Sequence, residues 1–166
     1  MTWSTADADA LDAYLDAHGH AHSTTRPGDV LHDVITAARR ALVDVVPEAV
    51  RPLVRLALAE VDRSADHVSV TVAMPGRRPL VVLSPAAVAD AVELACTIVH
   101  ECVHVDQIHR VGMAQAVADY ALSPESRAQR EADAYGAGLW LRYVLTGAAP
   151  EAEPLPDLYR LDADAQ

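Results

Sequence analysis

A chain of 166 residues is large enough to bury a single hydrophobic core and gives no reason to look for a second domain. Its 24 acidic residues outnumber 13 basic ones, all of the latter arginines, for a formal net charge of -11. Such a surface repels phosphate backbones and anionic membranes, and no basic stripe or aromatic-rich strand pair is available to stack bases, so neither nucleic acid nor membrane is expected as a partner.

The N-terminus carries Asp7, Asp9, Asp12 and Asp16 with no positive or apolar region, so it does not read as a secretory signal, and a cytoplasmic location is expected. A short, partly exposed helix is predicted over 6–17, with Leu11, Tyr14 and Leu15 as its apolar stripe. Residues 18–29 (HGHAHSTTRPGD) are rich in turn formers and read as a loop, with Asp29 placed to cap the next helix. Leu31, Val34, Ile35, Ala38, Leu42 and Val45 recur at helical spacing over 30–46, Pro47 ends that run, and a further helix is expected over 48–61.

Residues 67–73 alternate, with Val68, Val70 and Val72 on one face and Ser69 and Thr71 on the other, as a half-buried strand does. The turn Met74 to Pro79 leads to a returning strand, Leu80 to Leu83, which completes a β-hairpin. Ser84 and Pro85 mark a helix start that opens a mainly helical stretch through His109, closed by Gly112. The apolar run 86–99 inside it is interrupted by Asp90 and Glu93, too polar to span a bilayer. A short helix over 114–121 and a longer one over 124–145, stopped by Gly147, follow. The fold class is thus α+β and mostly helical. One domain is expected over 1–147, with N-terminal helices in 1–60 and the core in 67–145, followed by a tail rich in prolines and acids over 148–166. Cys96 and Cys102 lie six apart on one helix, where their side chains diverge, so free thiols and a reducing compartment are expected.

The chemistry lies in His100-Glu101-Cys102-Val103-His104, an HExxH sequence inside a stretch whose periodicity is already helical. Residues four apart stack on one helix face, so the two imidazoles can each give a nitrogen to one zinc ion, while Glu101 lies beside the ion's open position. Zinc lowers the pKa of a bound water to about 7, and a carboxylate there can take the water's proton as it attacks a carbonyl. Three polar groups set among Ile98, Val99, Val103 and Val105 would be costly to bury without such a partner.

A third protein ligand is required. HECVH followed by a helix containing Glu131-Ala132-Asp133 resembles the gluzincins, HExxH peptidases whose third ligand is a glutamate on a later helix. HECVHVDQ is also similar to small bacterial HExxH domains that read HE, two residues, HV, one residue, Gln. The resemblance covers 68–145. It implies a minimal zincin-like fold, a hairpin before the active-site helix and a third-ligand helix after it, with one Zn2+ held by His100, His104 and Glu131 and with Glu101 as general base. The family's ligand glutamate stands four residues before an Asp or Asn. Counting back from Asp133 lands on Gln129, a poor zinc ligand, whereas counting from Tyr135 lands on Glu131, the carboxylate that zinc prefers. Gln129 in that place would make the chain a weakened or inactive relative.

Several further residues have possible roles. Tyr135 and Tyr120 are candidates to hydrogen-bond an oxyanion, with core packing as the alternative for each. Gln107, one turn beyond His104, is placed to support a ligand or to bind substrate, with an ordinary polar helix residue as the alternative. A metzincin third histidine would fall at Arg110, so His109 reads as a surface residue at a helix end. His18, His20 and His22 alternate in a loop that could bind metal but more commonly is only solvated. Cys102 is expected to point away from the metal. The resulting expectation is a zinc metalloendopeptidase with a restricted protein or peptide substrate, bound by strand addition to 68–73 or to Leu80–Leu83. The alternatives are a catalytically weak or inactive zincin-fold interaction module and a hydrolase of non-peptide amides.

Overall fold

A computed structural model of the chain describes residues 2–33, 48, 69–72 and 76–148. The helices expected over 30–46 and 48–61, and the tail beyond 148, lie outside these residues, apart from a helical turn at 30–33. What is described is mostly helical with a small three-stranded sheet, as the α+β expectation required. In chain order come α1 (Thr5–Ala17), β1 (Ser23–Thr25), β2 (Val70–Val72), β3 (Leu80–Val82), α2 (Pro85–Ala89), α3 (Ala91–Val111), α4 (Met113–Leu122) and α5 (Pro124–Thr146). None of these helices is long and apolar enough to cross a membrane.

The sheet has the order β1-β3-β2, with β2 antiparallel and β1 parallel to β3. Val70 faces Val82 and Val72 faces Leu80 across the expected hairpin. β1 lies in the stretch read as a loop, so that reading is corrected: Ser23 pairs with Leu80 and Thr25 with Val82. The central place of β3 explains its composition. Leu80, Val81, Val82 and Leu83 are all buried, which requires a continuous apolar run rather than alternation. It also removes Leu80–Leu83 as a docking edge, because both sides of β3 are already paired.

Local chemistry sets the helix boundaries. Ser4 and Asp7 form a capping box at the start of α1. Ala8 is fully buried, and Trp3, Leu11 and Leu15 pack on the core. Tyr14 is instead more than half exposed and stacks on His18, so it leaves the apolar stripe assigned to it. Asp29 does open the turn at 30–33 through its carbonyl, but its carboxylate accepts from the Arg26 amide at 2.7 Å. The helical stretch after Ser84 is broken at Asp90, whose extended backbone ends α2 and whose carboxylate caps α3 by accepting from the Val92 and Glu93 amides. Gly112, at φ 83°, separates α3 from α4, a backbone that a side chain would strain. Ser123 caps α5, with Pro124 in its first turn, and Gly147 ends it in the left-handed conformation.

The core lies where α1, the sheet and α5 meet α3. Leu94, Ile98, Cys102 and Val105 of α3 recur at three- to four-residue spacing and are at most 2 % exposed. The facing side of α5 carries Glu131, Ala134 and Gly138. A Cβ on Gly138 would lie 3.3 Å from the Cys96 carbonyl oxygen and 3.8 Å from the His100 Cβ, so the glycine is what lets α5 approach α3 beside the first histidine.

Candidate metal centre

His100 and His104 stand one turn apart on α3, with ring centroids 5.0 Å apart. Glu131 enters from α5, 4 % exposed, and its Oε2 lies 3.6 Å from His100 Nε2 and 3.5 Å from His104 Nε2. One donor atom from each residue falls within 4.8 Å of the others, and these three form a possible metal-binding triad, the one such group among the described residues. Around a tetrahedral zinc with bonds of roughly 2.0–2.1 Å, donors sit about 3.4 Å apart, so both nitrogen–carboxylate separations suit that ion. Gln129 does not share the position. It is exposed and donates to the Asp133 carboxylate at 2.9 Å, away from the imidazoles.

The electrostatics suit a cation. Burial lowers the His100 pKa to about 4, assisted by His104 and opposed by Glu131, so the ring is neutral and its lone pair is available at pH 7. Burial works against ionisation of Glu131, but His104, Tyr120 and His100 outweigh it and hold the carboxyl below its usual range. Burial likewise opposes a charged His104, yet Glu131, Glu101 and Gln107 overcome it and raise its pKa. His104 and Glu131 thus each favour the other's charged form, an attraction that a divalent ion between them would replace.

Supporting groups orient the triad. His104 Nδ1 lies 3.0 Å from Gln107 Oε1, and the Gln107 amide nitrogen donates to the Arg130 carbonyl on α5 at 3.1 Å. With its Nδ1–H donated to that oxygen, His104 is left with Nε2 as its candidate ligand atom. Tyr120 of α4 donates its hydroxyl hydrogen to Glu131 Oε1 at 2.8 Å. Tyr135, one turn after Glu131, packs its ring edge-on against His100 with centroids 4.6 Å apart. Tyr120 is therefore engaged with the third donor, while Tyr135 stands beside the first.

Glu101 lies within the buried stripe of α3 and is 3 % exposed. Burial raises its pKa to about 7, against the pull of His104 and of Thr71. Thr71 Oγ1 is 2.8 Å from Glu101 Oε2 and 3.1 Å from the Glu101 carbonyl oxygen. The hydroxyl face of β2 therefore looks onto the helix, a contact that alternation alone did not reveal. Among the described residues β2 is a sheet edge and carries this contact, so of the two strands considered for docking it is the one that remains.

The other singled-out residues fall elsewhere. Cys102 is 2 % exposed in the core, and both cysteines are free thiols. His109 is exposed in the last turn of α3. The three loop histidines do not form a ligand group: His18 Nδ1 bonds the Tyr14 carbonyl, and His22 is buried against Asp12. No family model matches the chain, and no curated protein or solved structure is found to be similar to it.

Proposed function

We propose that the chain is a zinc-dependent peptidase of gluzincin type, with His100, His104 and Glu131 as ligands and Glu101 as general base. The supporting observation is the single carboxylate oxygen of Glu131, 3.5 to 3.6 Å from both imidazole nitrogens, on a helix other than theirs. A zincin-like arrangement accounts for it, since the third ligand there comes from a helix after the HExxH helix.

A zinc ion bound in this set would activate a water and polarise the scissile carbonyl. Glu101, with a pKa near 7, is matched to accepting a proton at neutral pH and returning it to the leaving amine. Thr71 fixes the orientation of that carboxylate. An extended substrate strand adding to the β2 edge would bring its backbone past Glu101. Tyr135, against His100, is the candidate donor to the oxygen that gains charge.

Elemental mass spectrometry of untagged protein tests the centre. Near-stoichiometric zinc is expected in the wild type and in Glu101→Gln, and little in His104→Ala or Glu131→Ala. Cleavage of a peptide library should fall by at least about 100-fold in Glu101→Gln, given the usual scale of general-base catalysis. A Glu101→Gln variant that cleaves like the wild type sinks the peptidase mechanism, and a zinc-free wild type sinks the metal centre.

A further inference from the structure

The two oxygens of Glu131 have different neighbours. Oε2 faces both imidazoles, whereas Oε1 accepts from Tyr120 at 2.8 Å. Tyr120 belongs to α4, which supplies none of the three candidate ligands. Its position is nevertheless closely defined. Arg130 Nη2 lies 2.9 Å from the carboxylate of the preceding Asp119, Arg127 Nη1 donates to the Tyr120 carbonyl at 3.4 Å, and the Arg127 guanidinium sits 5.9 Å over the Tyr120 ring. Both arginines come from α5, the helix that carries Glu131, so the phenol and the carboxylate are held in one frame.

We infer that Tyr120 is a positioning residue that, by holding Glu131 Oε1, presents only Oε2 to the metal and keeps the glutamate a one-oxygen ligand. The inference rests on the proposed metal centre. A carboxylate can bind a divalent ion through one oxygen or through both. Three single-atom donors leave a fourth place for water, as hydrolytic zinc sites require, and a second glutamate oxygen would crowd that place. A phenol donor on Oε1 opposes this without adding charge. In Tyr120→Phe that donor is gone while the ring and its Arg127 contact remain, so Oε1 loses the phenol that competes with the cation for it.

The test uses the full chain loaded with Co2+ or Zn2+, as wild type, Tyr120→Phe and Glu131→Ala. Visible absorption of the cobalt protein reports coordination number, chelator competition gives the zinc Kd, and thermal melting of metal-free protein reports structural damage. Tyr120→Phe is expected to show the weaker absorption of a five-coordinate cobalt centre and a zinc Kd raised roughly 10-fold or more, with metal-free melting close to wild type. A wild-type cobalt spectrum and Kd in Tyr120→Phe, while Glu131→Ala loses metal, overturn the role of Tyr120 and leave the centre standing. A lower metal-free melting temperature with an unchanged cobalt spectrum also overturns it, by showing a purely structural residue. Wild-type metal binding in Glu131→Ala overturns the three-ligand centre itself.

Discussion

His104 holds its Nε2, the nitrogen beside Glu131, in place through a neighbour on its own helix. Gln107 accepts on one side from the imidazole and donates on the other to the Arg130 carbonyl, so it joins α3 to α5 next to the triad. Replacing it with leucine keeps the size and removes both bonds. Gln107→Leu is expected to weaken zinc binding by roughly 10- to 100-fold, measured by chelator competition. A Kd within twofold of wild type would return Gln107 to the role of an ordinary helix residue. The histidine pair was legible because it is local: spacing of four on a helix stacks two side chains whatever the rest of the fold does. Glu131 and Gln129 could not be separated in that way. Which of them turns inward depends on how α5 packs on α3, and the structure answers it by burying Glu131 and exposing Gln129.

At the scale of elements, the contact between α3 and α5 depends on a residue with no side chain. Gly138 allows α5 to pass the Cys96 carbonyl at a distance that a Cβ would reduce to 3.3 Å. Gly138→Val adds two further carbons on that side and is expected to lower stability by about 1–3 kcal/mol through overpacking and to weaken zinc binding. Gly136, two residues earlier on the same helix, has open space around it. Gly136→Ala is therefore expected to raise stability by about 0.5–1 kcal/mol through helix propensity and to leave zinc binding unchanged. Urea unfolding with zinc titration measures both variants, and equal effects would show that close approach at 138 has no special role. Long elements such as α3 and α5 were legible from period and caps. β1 was not, since Ser23-Thr24-Thr25 has no alternation and its pairing partner lies 57 residues away, from Ser23 to Leu80. The break at Asp90 was equally hidden, because the residues on both sides suit helix and only a cap interrupts them.

Across the whole molecule, one buried polar cluster ties the N-terminal elements to the site helix. His22, 5 % exposed, has Nε2 2.7 Å from Asp12 on α1 and 3.8 Å from the Cys102 thiol on α3, while its Nδ1 faces the His20 carbonyl. Thr24 Oγ1 donates to the same aspartate at 3.0 Å. With acceptors at both nitrogens, the ring is doubly protonated. Burial pulls its pKa down, but Asp12, Cys102 and His20 prevail and raise it from 6.5 to about 10. Its contribution is complete below pH 6.5 and is lost as pH rises through about 10, where the folded chain releases the proton. Urea midpoints should therefore decline from pH 6.5 to 10, and His22→Gln should be less stable by about 1.5–3 kcal/mol at pH 6.5 with a flatter decline. Parallel slopes for the two proteins would exclude His22 as the titrating group. The strand that this cluster anchors has a protective consequence. β1 covers the open side of β3, and without it four successive apolar residues, Leu80 to Leu83, would form a bare edge able to recruit the same edge of another chain. Asp12→Ala, which loosens β1, is accordingly expected to aggregate on mild heating, seen as light scattering at temperatures where the wild type stays clear. On this view Ser23-Thr24-Thr25 matters less for what it binds than for the self-association it prevents.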